Sequence, residues 1–159
     1  MTWNFEHNIA TNASKKALWA LYSSVESWPI WDQGIENISI DGEFKEGSKG
    51  KIELEGQGIL GYRIVLADPE KGFTNETVID DLGASVKFVH TFSYLPDGKI
   101  QLTHHVTIFC PGKEEIEERI GVGITSGIPK AMKSLARMSI FLDKIYKVSL
   151  REEFFGFPE

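Results

Sequence analysis

The sequence holds one cysteine, Cys110, among 159 residues. A single thiol excludes an internal disulfide framework and any multi-thiolate zinc or iron–sulfur centre. Basic residues are also in deficit: 17 against 23 acidic ones gives a net charge of −6. That balance works against broad nucleic-acid binding, which needs clustered Lys and Arg to neutralise phosphates. No apolar run approaches the ~20 residues needed to span a bilayer. The opening Met1-Thr2-Trp3-Asn4-Phe5-Glu6-His7 has neither a basic n-region nor an apolar h-region, so no secretory signal is expected and a cytoplasmic location is. Repeats, low-complexity tracts and linkers are missing too. What is present is 42 % hydrophobic residues, enough for one core. The length suits one domain, drawn here as residues 1–151 with a tail at 152–159.

The hydrophobic periodicity changes twice along the chain. Trp3, Phe5, His7 and Ile9 alternate with polar residues, the pattern of a half-buried strand. Thr11-Asn12-Ala13-Ser14 is a cluster of helix N-cap residues before a short helix carrying Leu18, Leu21 and Tyr22 on one face. Trp28-Pro29-Ile30-Trp31 follows, and Pro29 forbids a long helix through it. Six strands separated by turn residues are then expected between Ile35 and Cys110, antiparallel because their connections are too short for crossovers. Beyond Pro111-Gly112 an apolar stripe steps by three or four residues from Ile116 to Ile145. Glutamates at its start and Lys144, Lys147 and Arg151 near its end complement the helix dipole. The spacing predicts one helix of about 35 residues and roughly 50 Å. The fold class is α+β: a curved seven-stranded antiparallel sheet wrapped around a long C-terminal helix, with two short helices after the first strand.

Two glycine motifs carry no nucleotide chemistry. Gly121-Val122-Gly123-Ile124-Thr125-Ser126-Gly127 has the wrong glycine spacing for a dinucleotide loop and follows an acidic helix start rather than a strand. Gly42-Glu43-Phe44-Lys45-Glu46-Gly47-Ser48-Lys49 has the last two residues of a phosphate loop transposed, with no helix after it. Gly121, Gly123, Gly127 and Pro129 inside a helix need another reason, since each glycine costs about 1 kcal/mol relative to alanine. A kink that follows the curved sheet is one, and a thinned wall or hinge beside a ligand space is the other.

The histidines are the most informative polar residues. His90 shares a strand face with Phe88 and Phe92, and His104 shares one with Leu102, Val106 and Ile108. Leu95-Pro96-Asp97-Gly98-Lys99 suits a three-residue hairpin loop with Gly98 left-handed. That loop pairs Leu95 with Lys99, so paired residue numbers sum to 194 and His90 lies opposite His104. An odd sum would turn one strand's apolar set to the wrong face. The pair admits three readings: a core pair bonded to each other, to water or to Tyr62; a polar anchor for an apolar ligand; or an acid–base or weak metal site. No third metal ligand is identifiable, so no metal and no cofactor are expected. Cys110 reads as a small buried hydrophobe at a strand end, and Trp28 and Trp31 as plugs for one end of the sheet. The remaining acidic residues fall mostly in turns or at the helix start, where solvation and capping account for them.

Several motifs in sequence order carry a family resemblance. They are Trp28-Pro29-x-Trp31-Asp32, Phe44-x-x-Gly47-Ser48, Tyr62-x-Ile64 before Asp68-Pro69, His90, Leu102-Thr103-His104-His105-Val106, and Pro111-Gly112 before the closing helix. Across residues 2 to 149 the chain resembles the polyketide cyclase/dehydrase-like branch of the START/Bet v1 (SRPBCC) superfamily, whose members share the helix-grip fold. The resemblance implies an internal cavity between sheet and C-terminal helix for a hydrophobic small molecule. Its implied lining is Tyr62, Phe88, His90, Phe92, His104, Val106, Ile124, Ile128 and Met132. The helix breakers between Gly121 and Pro129 depart from the family pattern.

Three functions follow as expectations. The first is binding of a hydrophobic or aromatic small molecule, with His90 and His104 at its polar end. The second is a cyclase or dehydratase-type enzyme with His90 and His104 as catalytic acid and base. The third is a protein-interaction domain with a collapsed cavity, acting through Phe154-Phe155-Gly156-Phe157-Pro158. Those phenylalanines otherwise dock on their own domain or form a homodimer contact.

Overall fold

A computed structural model describes residues 2–155 of the chain, with side chains described through residue 147. β1 (Trp3–Thr11) leads into α1 (Lys15–Tyr22), a 3-10 turn at Val25–Ser27 and α2 (Trp28–Trp31). Then come β2 (Ile35–Ile40), β3 (Lys49–Leu54), β4 (Gly58–Asp68), β5 (Gly72–Ile79), β6 (Ala84–Tyr94) and β7 (Ile100–Phe109). α3 (Glu114–Thr125) and α4 (Ile128–Phe155) close the chain. The seven strands form one antiparallel sheet in the order β1-β7-β6-β5-β4-β3-β2. β1 therefore pairs with the last strand, and the consecutive hairpins run out to β2 at the other edge. Irregularities at Ile35/Asn37 and Ile64/Leu66 bend the sheet. Its concave face holds Ile52, Ile64, Phe73, Val86, Phe92, Leu102, Val106 and Ile108, all buried against the helices.

The β6–β7 hairpin has the expected register, with Ser85 opposite Phe109, His90 opposite His104 and Tyr94 opposite Ile100. Gly98 adopts φ +87°, which an L side chain tolerates poorly, so the turn fixes the pairing. α1 begins at Ser14, whose Oγ accepts from the Ala17 N–H at 3.1 Å. The same residue donates through N–H and Oγ–H to the Asp143 carboxylate, at 2.8 and 2.6 Å, and so latches α1 to α4.

The C-terminal helix differs from the single rod expected from the stripe. It is broken at Ser126-Gly127. Pro129 has no N–H to offer the carbonyl four residues back, that of Thr125, so the helical ladder is interrupted there. Thr125 Oγ1 instead donates back to the Gly121 carbonyl at 2.7 Å, a bond that bends helices. α4 extends to Phe155, past the boundary drawn at residue 151; the side chains of Phe154 and Phe155 and all of residues 156–159 lie outside the described residues. Glu117 also departs from the solvated helix start expected for it. Its side chain is buried and accepts from the Cys110 N–H at 3.2 Å. Cys110 is the buried thiol expected at a strand end.

The helix glycines divide by what surrounds them. A Cβ at Gly121 would sit 2.4 Å from the Trp3 ring, whereas one at Gly123 would meet only Gln57 Nε2, at an ordinary 3.8 Å. Gly121→Ala is therefore expected to destabilise by about 1–3 kcal/mol, overpacking outweighing the gain in helix propensity. Gly123→Ala should stabilise by about 0.5–1 kcal/mol. Denaturant unfolding of the two variants checks this, and equal effects would refute the packing assignment of Gly121.

Candidate functional site

A cavity of about 300 Å³ lies between the sheet, α2 and the α3–α4 break. The sheet side supplies Ile52, Leu60, Asn75, Thr77, Val86, Phe88, His90 and His104. Trp28 and Trp31 of α2 line it as well, and Gly123, Ile124, Gly127, Ala131 and Ser134 form the helix wall. Asp32, Gln33, Glu55, Gln57 and Lys130 are the polar residues of its rim. The collapsed-cavity expectation is thereby corrected: the space is open.

The predicted lining residues separate into two groups. Phe88, His90, His104 and Ile124 line the cavity; Tyr62, Phe92, Val106, Ile128 and Met132 are outside its walls. Each of the latter has a packing reason. Tyr62 lies over Gly50, where any Cβ would strike its ring, and its Oη donates to the Ser39 carbonyl at 2.7 Å. Phe92 stacks on Tyr22 with centroids 6.0 Å apart, and Val106 is fully buried in the core. Ile128 and Met132 are buried in the core on the stripe adjacent to Gly127, Ala131 and Ser134, since one residue of advance turns the helix by about 100°. Trp28 and Trp31 are buried in the core, as expected of plugs for the sheet, and they also wall the cavity.

Tyr22, which lies behind the lining and holds His104, is the main supporting residue that sequence reasoning missed. Its side chain is fully buried, and its hydroxyl lies 2.7 Å from His104 Nε2. Tyr62, one of the partners considered for a core histidine pair, bonds to Ser39 instead. The available signal was a tyrosine in the apolar stripe of α1, whose hydroxyl must find a partner indoors. His7 was missed too. β1 pairs it with His104, so His7, His104 and His90 occupy neighbouring positions on three adjacent strands.

His90 is held between two phenylalanines, Phe73 at 4.0 Å and Phe88 at 4.1 Å, with all three rings nearly parallel. Its ring meets that of His104 edge-on at 4.6 Å. Burial pushes the His90 imidazole well below its ordinary pKa, and the neighbouring His104 lowers it further. The Phe73 backbone acts in the opposite direction without forming a hydrogen bond to Nδ1. Burial, followed by the repulsion of His7, brings His104 down to about 3. Burial likewise raises the Tyr22 phenol, so it stays protonated. At neutral pH the inner wall is thus a set of uncharged hydrogen-bonding groups. Among the described residues no cluster of three or more His, Cys, Asp or Glu side chains could hold a metal ion.

No protein-family profile and no curated protein sequence matches the chain. Solved structures do match in fold. Norcoclaurine synthase from Thalictrum flavum superposes with a TM-score of 0.71 at 14 % identity, covering 90 % of this chain and 97 % of that one. An aromatase/cyclase from Streptomyces sp. R1128 gives 0.73 at 11 % identity, covering 87 % and 94 %. Ara h 8.0201 gives 0.65 at 15 % identity, covering 88 % and 99 %. The chain therefore has the Bet v1-like helix-grip fold.

The buried histidines have a measurable signature. The unfolded chain takes up protons below the ordinary histidine pKa of 6.5, whereas the folded chain leaves His104 neutral down to about 3. Stability is therefore expected to fall as pH drops below about 6.5, by up to about 1.4 kcal/mol per pH unit for each such histidine. Above that pH the histidines add no slope. Denaturant unfolding at several pH values between 7.5 and 5 reads the effect. His104→Gln should reduce the slope by about one proton, and an unchanged slope would refute it.

Proposed function

We propose that the protein binds a hydrophobic small molecule in the cavity between its sheet and its broken C-terminal helix. The observation that carries this reading is the cavity itself, a concave space walled by Trp28, Trp31, Ile52, Leu60, Val86 and Phe88. Close packing is the norm for protein interiors, and voids of this size are few. A concave apolar space with a few convergent polar groups is the usual form of a ligand site.

The comparison structures support the reading without fixing the ligand. One norcoclaurine synthase structure holds dopamine and hydroxybenzaldehyde, and this chain carries the same fold. The sequence resemblance to the polyketide cyclase/dehydrase-like branch points to the same kind of guest.

Binding is favoured here over proton-transfer catalysis by the state of the histidines. A general base abstracting a proton beside a carbonyl works best with a pKa near the operating pH. His90 and His104 both lie well below it, which makes them weak bases and weakly populated acids. Recognition asks for neutral donors and acceptors, and in that state they supply them.

Ala131 is buried on the helix wall, so Ala131→Leu places three extra carbons in the cavity. Affinity for the neutral apolar probe N-phenyl-1-naphthylamine, read by fluorescence, should fall by about fivefold or more while the melting temperature holds or rises. Unchanged affinity in the folded variant would place the probe elsewhere and remove the cavity from the function.

A further inference from the structure

Among the described residues two buried side-chain atoms have no hydrogen-bond partner, Asn75 Oδ1 and His90 Nδ1, and both residues line the same cavity. Buried polar groups are nearly always satisfied, and each exception asks for a partner. These two lie on neighbouring strands. Phe73 pairs with His90 and Asn75 with Phe88, which makes Asn75 and His90 diagonal neighbours on the concave face.

The geometry restricts what that group is. Phe73 and Phe88 cover both faces of the His90 ring, so a partner approaches it in plane, along the edge that carries the nitrogens. Asn75 Oδ1 accepts hydrogen bonds and cannot donate, so the ligand must bring a hydrogen. A hydroxyl answers both atoms at once, donating to Asn75 Oδ1 and accepting from a His90 Nδ1–H. A carbonyl or ether leaves Asn75 unmatched, and a hydrocarbon leaves both. A carboxylate brings no donor and carries its charge to a wall of neutral groups. The one lysine of the lining, Lys130, is engaged with Gln33 at 3.2 Å on a rim that also carries Asp32 and Glu55.

We propose that Asn75 and His90 form a hydroxyl-docking subsite that selects neutral alcohols or phenols over carboxylates and bare hydrocarbons of the same shape. This rests on the binding role proposed above. At the packing density of protein interiors, about three-quarters, the cavity accommodates roughly 220 Å³ of ligand, the bulk of a fused two- or three-ring skeleton.

The test uses three matched probes: 9-phenanthrol, phenanthrene and phenanthrene-9-carboxylate, titrated against the tryptophan fluorescence of the full chain. An unmatched buried polar group weakens binding by about tenfold or more. The phenol should therefore bind at least about tenfold tighter than either companion. Asn75→Leu should shrink the phenol-to-hydrocarbon ratio below about threefold. His90→Phe, which keeps the aromatic stack, should do the same and serves as the second variant if the first fails to fold. Equal affinities in the wild type, a preference for the carboxylate, or a ratio that survives in a folded variant overturns the subsite and leaves the binding role standing. Binding of none of the three overturns both.

Discussion

The hydrogen bond between Tyr22 and His104 is the contact on which the rest of the interior depends. An imidazole and a phenol both deep in the core would each be costly alone, since an unpartnered buried polar group forfeits its hydration. Together they answer one another at 2.7 Å. The bond fixes the end of α1 over the centre of the sheet, where the Tyr22 ring packs against Phe73, His90 and Phe92. The Trp28 indole N–H then donates to the Tyr22 carbonyl at 3.0 Å, so α2 hangs from the same point. Trp28 in turn stacks on Phe73 at 5.4 Å and presents its other surroundings to the cavity. A single pairing of two polar side chains thus positions the helical cover, the tryptophan wall and the histidine stack.

Much of this was legible in the sequence because strand pairing across a short turn is nearly arithmetic. Gly98 and its neighbours set the β6–β7 register, and the register brought His90 opposite His104. The alternation of apolar residues then decided which face was inward. Long-range pairings had no such rule. β1 joins β7 across almost the whole chain, so His7 could not be placed beside His104. Asn75 was hidden for a different reason. In β5 the inward set is Phe73, Asn75 and Thr77, a mixed series without an apolar period, and residues turned toward a cavity need not be apolar. The helix stripe misled in a third way, because periodicity locates a buried face but does not separate a stripe facing the core from the adjacent one facing an empty space.

Matches at 11–15 % identity with TM-scores of 0.65–0.73 fit the same logic. What specifies this architecture is the placement of inward and outward residues and of turns, and many sequences satisfy it. The polar residues on the concave face are comparatively free of that constraint. They are where one member can differ from another without losing the fold. In this chain the choice on that face is a buried, uncharged set, His104, His90 and Asn75, with Tyr22 of α1 against it, and the carboxylates and lysine of the lining are left at the rim.

The broken C-terminal helix bears on the mechanics of the wall. α3 is wedged against β1, with Gly121 flush on the Trp3 ring, and α4 is tied to α1 through Asp143 and Ser14. The two pieces are thus moored through different contacts, and the seam between them, Ser126-Gly127, lines the cavity. A continuous helix would resist bending over its whole length. Here the helical hydrogen bonding is interrupted at two residues, which concentrates bending of the wall there and leaves the core packing on either side undisturbed.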